Sequence, residues 1–146
     1  MNRRLIEQND LEMLHAIYMD PENNPFLCYE PMDVPAFRPI FEKFVRSQST
    51  YFLVEGTDVV GTYALRIHTH REAHVATLGG FAMHPLFRGR GFGGRAIDDI
   101  VALARSKGVR RLQLLVETDN HPFLREARFP QGGHPARCFP TRERNA

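Results

Sequence analysis

The sequence predicts a single α/β domain whose strands and helices follow one another in the order βααβββαβ, with a mixed sheet. Three observations carry this. Apolar residues recur at helical spacing around Leu11, Phe41 and Ile100. Between them lie runs with the alternation or apolar density of strands. At 146 residues the chain is long enough for one real core and too short for two comfortable ones.

Residues 3–6 read as a first strand, and Asn9 or Asp10 as the N-cap of a helix with Leu11, Leu14, Ile17 and Tyr18 on one face. That helix stops near Asp20-Pro21. Residues 21–35, PENNPFLCYEPMDVP, are rich in Pro, Asn and acids and read as a loop. A second helix begins at Pro35 or after Pro39, carries Phe37, Ile40, Phe41, Phe44 and Val45 on its apolar side, and closes at Ser47-Gln48-Ser49. Residues 50–54 and 59–67 form a hairpin across Glu55-Gly56-Thr57-Asp58. After a polar connection, residues 73–83 form a long strand. Its Gly79-Gly80 pair predicts a bulge or a close backbone approach. A third helix runs from about Gly91 to Lys107, burying Ile97, Ile100, Val101 and Ala104, leaving Asp98 and Asp99 to solvent, and stopping at Gly108. Residues 111–116 are a buried strand.

The chemistry is densest in residues 81–94, FAMHPLFRGRGFGG. A strand ends here, two arginines interleave with glycines, and a helix opens. The first turn of a helix leaves N–H groups unpaired at the positive end of its dipole, so an anion lodges there. Glycines at 89, 91, 93 and 94 admit a bulky phosphate without Cβ clashes, and Arg88 and Arg90 add charge-assisted donors. A P-loop would need Lys then Ser or Thr after its last glycine, and Gly94-Arg95-Ala96 stands there. A dinucleotide fingerprint fits poorly, with an arginine before the first glycine and a Pro after the strand.

The residues match RxxGxG, as Arg88-Gly89-Arg90-Gly91-Phe92-Gly93, preceded by the apolar-x-apolar-x-Pro of Phe81, Met83 and Pro85. This resembles the acetyl-CoA-binding motif of the GNAT superfamily of N-acetyltransferases, and the order of elements fits over roughly residues 1–120. The resemblance implies the GNAT-type acyl-CoA N-acyltransferase fold, acetyl-CoA as cofactor, and as partner an unidentified amine of a small molecule or peptide. It places the pyrophosphate on the N–H groups of Gly89 to Gly94 with Arg88 and Arg90. The pantetheine arm would run along the backbone of Phe81, Ala82 and Met83, with Asn120 on its amide, and an N–H of that stretch, taken as Phe81, would polarise the thioester carbonyl. For the base that the amine needs, His74, Glu117 and Asp119 are the open choices.

The resemblance breaks after the fifth strand. The family continues with a segment like LYxKxGF, whose tyrosine commonly protonates the departing thiolate, whereas residues 123–129 place Leu124 at the tyrosine and Arg128 at the glycine. Reading the codons of this stretch one nucleotide later permits Phe-Tyr-Glu-Lys-Leu-Gly-Phe. Residues 121–146 are therefore either out of frame or a divergent ending, and the last family strands are missing or altered. An exposed sheet edge left by such an ending would favour a homodimer. A CoA-binding protein impaired in catalysis is the alternative reading.

Composition is that of a globular protein, 42% hydrophobic and 25% charged, with no run approaching a membrane span. The N-terminus lacks the apolar core of a signal peptide. Cys28 and Cys138 do not form a metal-spaced pair, and a cytoplasmic setting is the expectation. His68, His70 and His74 read as strand-end loop histidines rather than as a metal site. Between 88 and 111, seven Lys or Arg face two acids, which would also suit a basic nucleic-acid-binding module. No nucleic-acid motif accompanies them, and a phosphate-bearing cofactor uses the same charge.

Overall fold

Phe52 and Leu53 are neighbours in sequence, both fully buried, and they enter different cores. Side chains of a strand alternate between faces, so the sheet that carries them is covered on both sides. The computed structural model describes residues 1–114. Its sheet comprises β1 (Asn2–Leu5), β2 (Thr50–Glu55), β3 (Asp58–Ile67), β4 (Val75–Met83) and β5 (Arg111–Leu114), lying side by side in chain order. Neighbours are antiparallel as far as β4, and β4 and β5 are parallel. A parallel neighbour requires a crossover, which α3 (Phe92–Ser106) supplies. Its Ala96, Ile97, Ile100 and Ala104 share one core with Leu53, Tyr63, Leu78 and Met83. The helices α1 (Leu11–Tyr18) and α2 (Val34–Ser47) share the other with Phe52 and Ala82.

This is the α/β order expected from the sequence through its fifth strand, with local differences. The second helix starts at Val34, ahead of both expected positions, because Asp33 caps it by accepting from the Ala36 N–H at 3.0 Å. Pro39 lies inside the helix, where the hydrogen bond it forfeits is to Pro35 in the first turn. The buried stripe of α3 takes Leu103 fully and Val101 only in part. Asp98 is exposed as expected, but Asp99 is not: its side chain is 14% exposed and binds Arg3 at 2.7 Å. The other Asp99 oxygen and the Tyr63 hydroxyl are buried without a hydrogen-bond partner among the described residues. β4 begins at Val75 rather than 73, since a 3-10 turn at His70–Glu72 occupies the approach.

The glycine pair makes the bulge that the sequence predicts. Thr62 pairs with Ala82 but Ala64 with Gly79, so Gly80 and Phe81 together face Tyr63. Gly80 has φ +58°, a left-handed conformation that costs other residues about 1–2 kcal/mol. β4 then runs on beyond its last described pairing with β5, Leu78 with Leu114. Among the described residues no helix is long and apolar enough to cross a membrane. Glu117, Asp119, Asn120, Leu124, Arg128 and the reading frame of the C-terminal segment lie outside the described residues.

Candidate active site

β4 delivers the chain to the glycine motif under tight control. The His84 N–H donates to the Val60 carbonyl at 2.8 Å, continuing the ladder to β3. Successive groups along a strand point to opposite edges, and the Met83 carbonyl accepts instead from Asn23 Nδ2 at 2.9 Å. The same amide donates to the Ile17 carbonyl at 3.0 Å. Asn23 thus ties the end of β4 to α1. His84 Nδ1 accepts from the Leu86 N–H at 3.1 Å, opening the 3-10 turn Pro85–Phe87. Burial first, and then the positive charge of Arg88, lower the His84 pKa, against the opposing pull of Asp20.

The motif itself is a turn that glycine alone makes without strain. Gly89 and Gly91 have φ of +71° and +81°. Gly91 is the N-cap of α3 and offers no side chain to its first-turn amides. Gly94, in that turn, is exposed, and a Cβ built on it would meet nothing within 4 Å. Neither the backbone angle nor the packing of this chain requires glycine at 94. Its absent side chain leaves the helix start open to a bulky anion, so the cradle fits the pyrophosphate that the sequence pattern implies.

The arginines of the motif divide the work. Arg88 binds Asp20, and also Glu22 at 3.1 Å, both from the loop after α1. Asp20 in turn accepts from the N–H groups of Glu22 at 3.1 Å and Asn23 at 3.2 Å. Burial raises the Asp20 pKa, but the hydrogen bond and charge of Arg88 with these amides outweigh it, and the net position is below the usual carboxylate range. Arg95 lies 5.4 Å over the Phe92 ring and 3.1 Å from Glu55. Arg90 is exposed and spans the rings of Phe87 and Phe92, at 5.2 and 5.5 Å. Among the described residues Arg90 has no carboxylate partner.

The structure brings together Phe81, Ala82, Met83 and the residues from Arg88 to Gly94, as the sequence suggests. It does not bring His74 to them. His74 is exposed in the turn before β4, its carbonyl accepting from the Arg110 and Arg111 N–H groups, and Phe81 lies seven steps along the chain from it, roughly 23 Å at about 3.3 Å each. His68, read as one of three loop histidines, bonds Thr77 at 2.8 Å. Among the described residues no group of three His, Cys, Asp or Glu could hold a metal ion. In the sequence Asp20 marks the stop of the first helix, and Glu22 and Asn23 belong to the loop that follows. Nothing in their spacing signals a partner some 60 residues away.

A bulged strand running into a glycine turn and an uncapped helix, in this sheet order, defines an acyltransferase-type α/β domain. The family model described as the acetyltransferase (GNAT) family matches residues 11–127, and the chain belongs to that family. Solved structures agree in fold. N-acetylglutamate synthase from Neisseria gonorrhoeae, complexed with coenzyme A and N-acetyl-glutamate, has a TM-score of 0.65 at 22% identity, covering 86% of this chain and 27% of that one. The present chain therefore spans little more than a quarter of that protein. An N-acetyltransferase from Staphylococcus aureus Mu50 has a TM-score of 0.64 at 19% identity, covering 85% and 78%. Ribosomal-protein-alanine N-acetyltransferase from Brucella melitensis has 0.63 at 21%, covering 86% and 80%. No curated protein sequence matches the chain.

Proposed function

We propose that this chain transfers an acetyl group from acetyl-CoA to the amine of a small molecule or peptide. The observation that carries the reading is the uncapped first turn of α3, with exposed Gly94 standing where a side chain would obstruct an anion. Family membership supports the same cofactor. In this reading the amides from Gly89 to Gly94 hold the pyrophosphate and Arg90 adds charge. Arg88, held by Asp20 and Glu22, contributes through its backbone and by fixing the turn. The pantetheine arm lies along Phe81, Ala82 and Met83, and Asn120 contacts its amide. The bound cofactor supplies an activated acyl thioester, and the protein orients it beside the bulge of β4. Glu117 and Asp119 are the acids proposed to deprotonate the amine, and the setting is cytoplasmic.

The pairing of Arg88 and Arg95 with carboxylates argues against a nucleic-acid surface, because these cations are already neutralised. Calorimetric titration with acetyl-CoA tests the reading. Micromolar binding, about 8 kcal/mol, together with release of free thiol in the presence of one of a panel of amines, is the expected result. Binding without thiol release would leave a CoA-binding protein, and no binding would reject both.

A further inference from the structure

A Cβ built on Gly80 would stand 2.6 Å from the hydroxyl oxygen of Tyr18, closer than real contacts allow. The phenol therefore reaches the backbone of β4 at the point where its register breaks. Tyr18 is the last residue of α1, 4% exposed, and its ring lies 5.6, 5.8 and 6.3 Å from those of Phe37, Phe44 and Tyr29. Three aromatic neighbours hold it in place. Residues 75–79 of β4 are buried, whereas Gly80 and Phe81 are half-buried, so the backbone opposite the hydroxyl is open to approach.

We propose that Tyr18 is a catalytic hydrogen-bond donor whose hydroxyl, beside the N–H groups of the β4 bulge, binds the acyl oxygen of the thioester. This rests on the acetyl-transfer reading given above. An oxygen that gains negative charge as the amine attacks is stabilised most by donors already fixed in place, and a ring wedged among aromatics beside a bulged strand is fixed. Burial, with Tyr29 beside it, raises the Tyr18 pKa far above that of an ordinary phenol. The hydroxyl keeps its proton and serves as a donor. The same burial disfavours loss of that proton, so the role assigned is a donor and not the acid for a departing thiolate. Tyr18 thus does not replace the tyrosine missing at Leu124.

The test needs no acceptor. Acetyl-CoA carrying carbon-13 at the acetyl carbonyl is bound to the wild type and to Tyr18→Phe, and the infrared carbonyl band is recorded beside calorimetry. Both proteins are expected to bind within about threefold, since roughly 0.6 kcal/mol separates such constants. The band of the wild type is expected below that of free acetyl-CoA and that of Tyr18→Phe nearer the free value. Where Tyr18→Phe fails to fold, site-specific difluorotyrosine at 18 keeps the ring and strengthens the donor, and the band should fall further. Binding with an unmoved band would overturn the role of Tyr18 alone. Absence of binding by the wild type would overturn the acetyl-CoA reading and this role with it.

Discussion

The guanidinium of Arg88 is bound by the carboxylate of Asp20, 68 residues earlier in the chain. The pair joins the turn that begins the glycine motif to the loop leaving α1, so turn and loop are held as a unit. Because the Asp20 pKa is lowered in the fold, its contribution is present above the unfolded carboxylate value near 3.9 and is lost as pH falls through the lower folded value. Asp20→Asn should lower the free energy of unfolding at pH 6–7 by roughly 1 kcal/mol or less, as for partly exposed pairs. The difference between the two proteins should close below about pH 4, and a difference constant with pH would remove the ion pair from the explanation.

Gly80→Ala should cost about 1–3 kcal/mol, from the left-handed backbone and from the contact with the Tyr18 hydroxyl. Removing the hydroxyl leaves the next ring carbon 3.7 Å away, an ordinary contact. Equilibrium unfolding of the two single variants and the double variant should therefore show a smaller cost of Gly80→Ala in the Tyr18→Phe background. Strict additivity would mean that the two groups do not meet.

Gly94→Leu separates folding from binding. Leucine is a better helix former than glycine by several tenths of a kcal/mol, and the site has room for it. Thermal stability should hold or rise, while acetyl-CoA affinity measured by calorimetry falls at least about tenfold, or 1.4 kcal/mol. Unchanged affinity would move the phosphate away from the start of α3.

Asn23→Ala removes a buried amide that satisfies two backbone carbonyls, those of Ile17 and Met83. Leaving buried acceptors unpaired costs about 1–3 kcal/mol. A loss of that size in urea unfolding is expected, and a neutral result would show that water takes over both carbonyls.

The coding DNA tests the C-terminal reading. A frame shifted by one nucleotide yields tyrosine at position 124 and glycine at 128 only where the Leu124 codon ends in TA and the Arg128 codon ends in GG. Other codons would leave a divergent ending.

Much of this protein is legible from local pattern, because hydrophobic period and glycine position act over a few residues. The stripe of α1, the hairpin, the bulge at Gly79-Gly80 and the glycine start of α3 all stand where the sequence places them. The early start of α2 was less legible, since a proline-rich stretch reads as loop until the Asp33 cap is seen. His74 illustrates the limit for the site: expected on the long strand, it stands in the turn before it, because where a strand begins is settled by its pairing.

By itself the sequence determined the α/β class, the order of elements and the glycine turn that opens α3, all set by side-chain period and backbone freedom within one element. Only the tertiary structure decided that Asp20 takes the Arg88 guanidinium, that Asn23 holds Met83, and that Tyr18 meets Gly80. Each of these joins α1 or the loop after it to β4 or to the turn that follows, across some 60 residues of chain. Such partners are chosen by how helices seat on the sheet, and one-dimensional spacing carries no record of that seating.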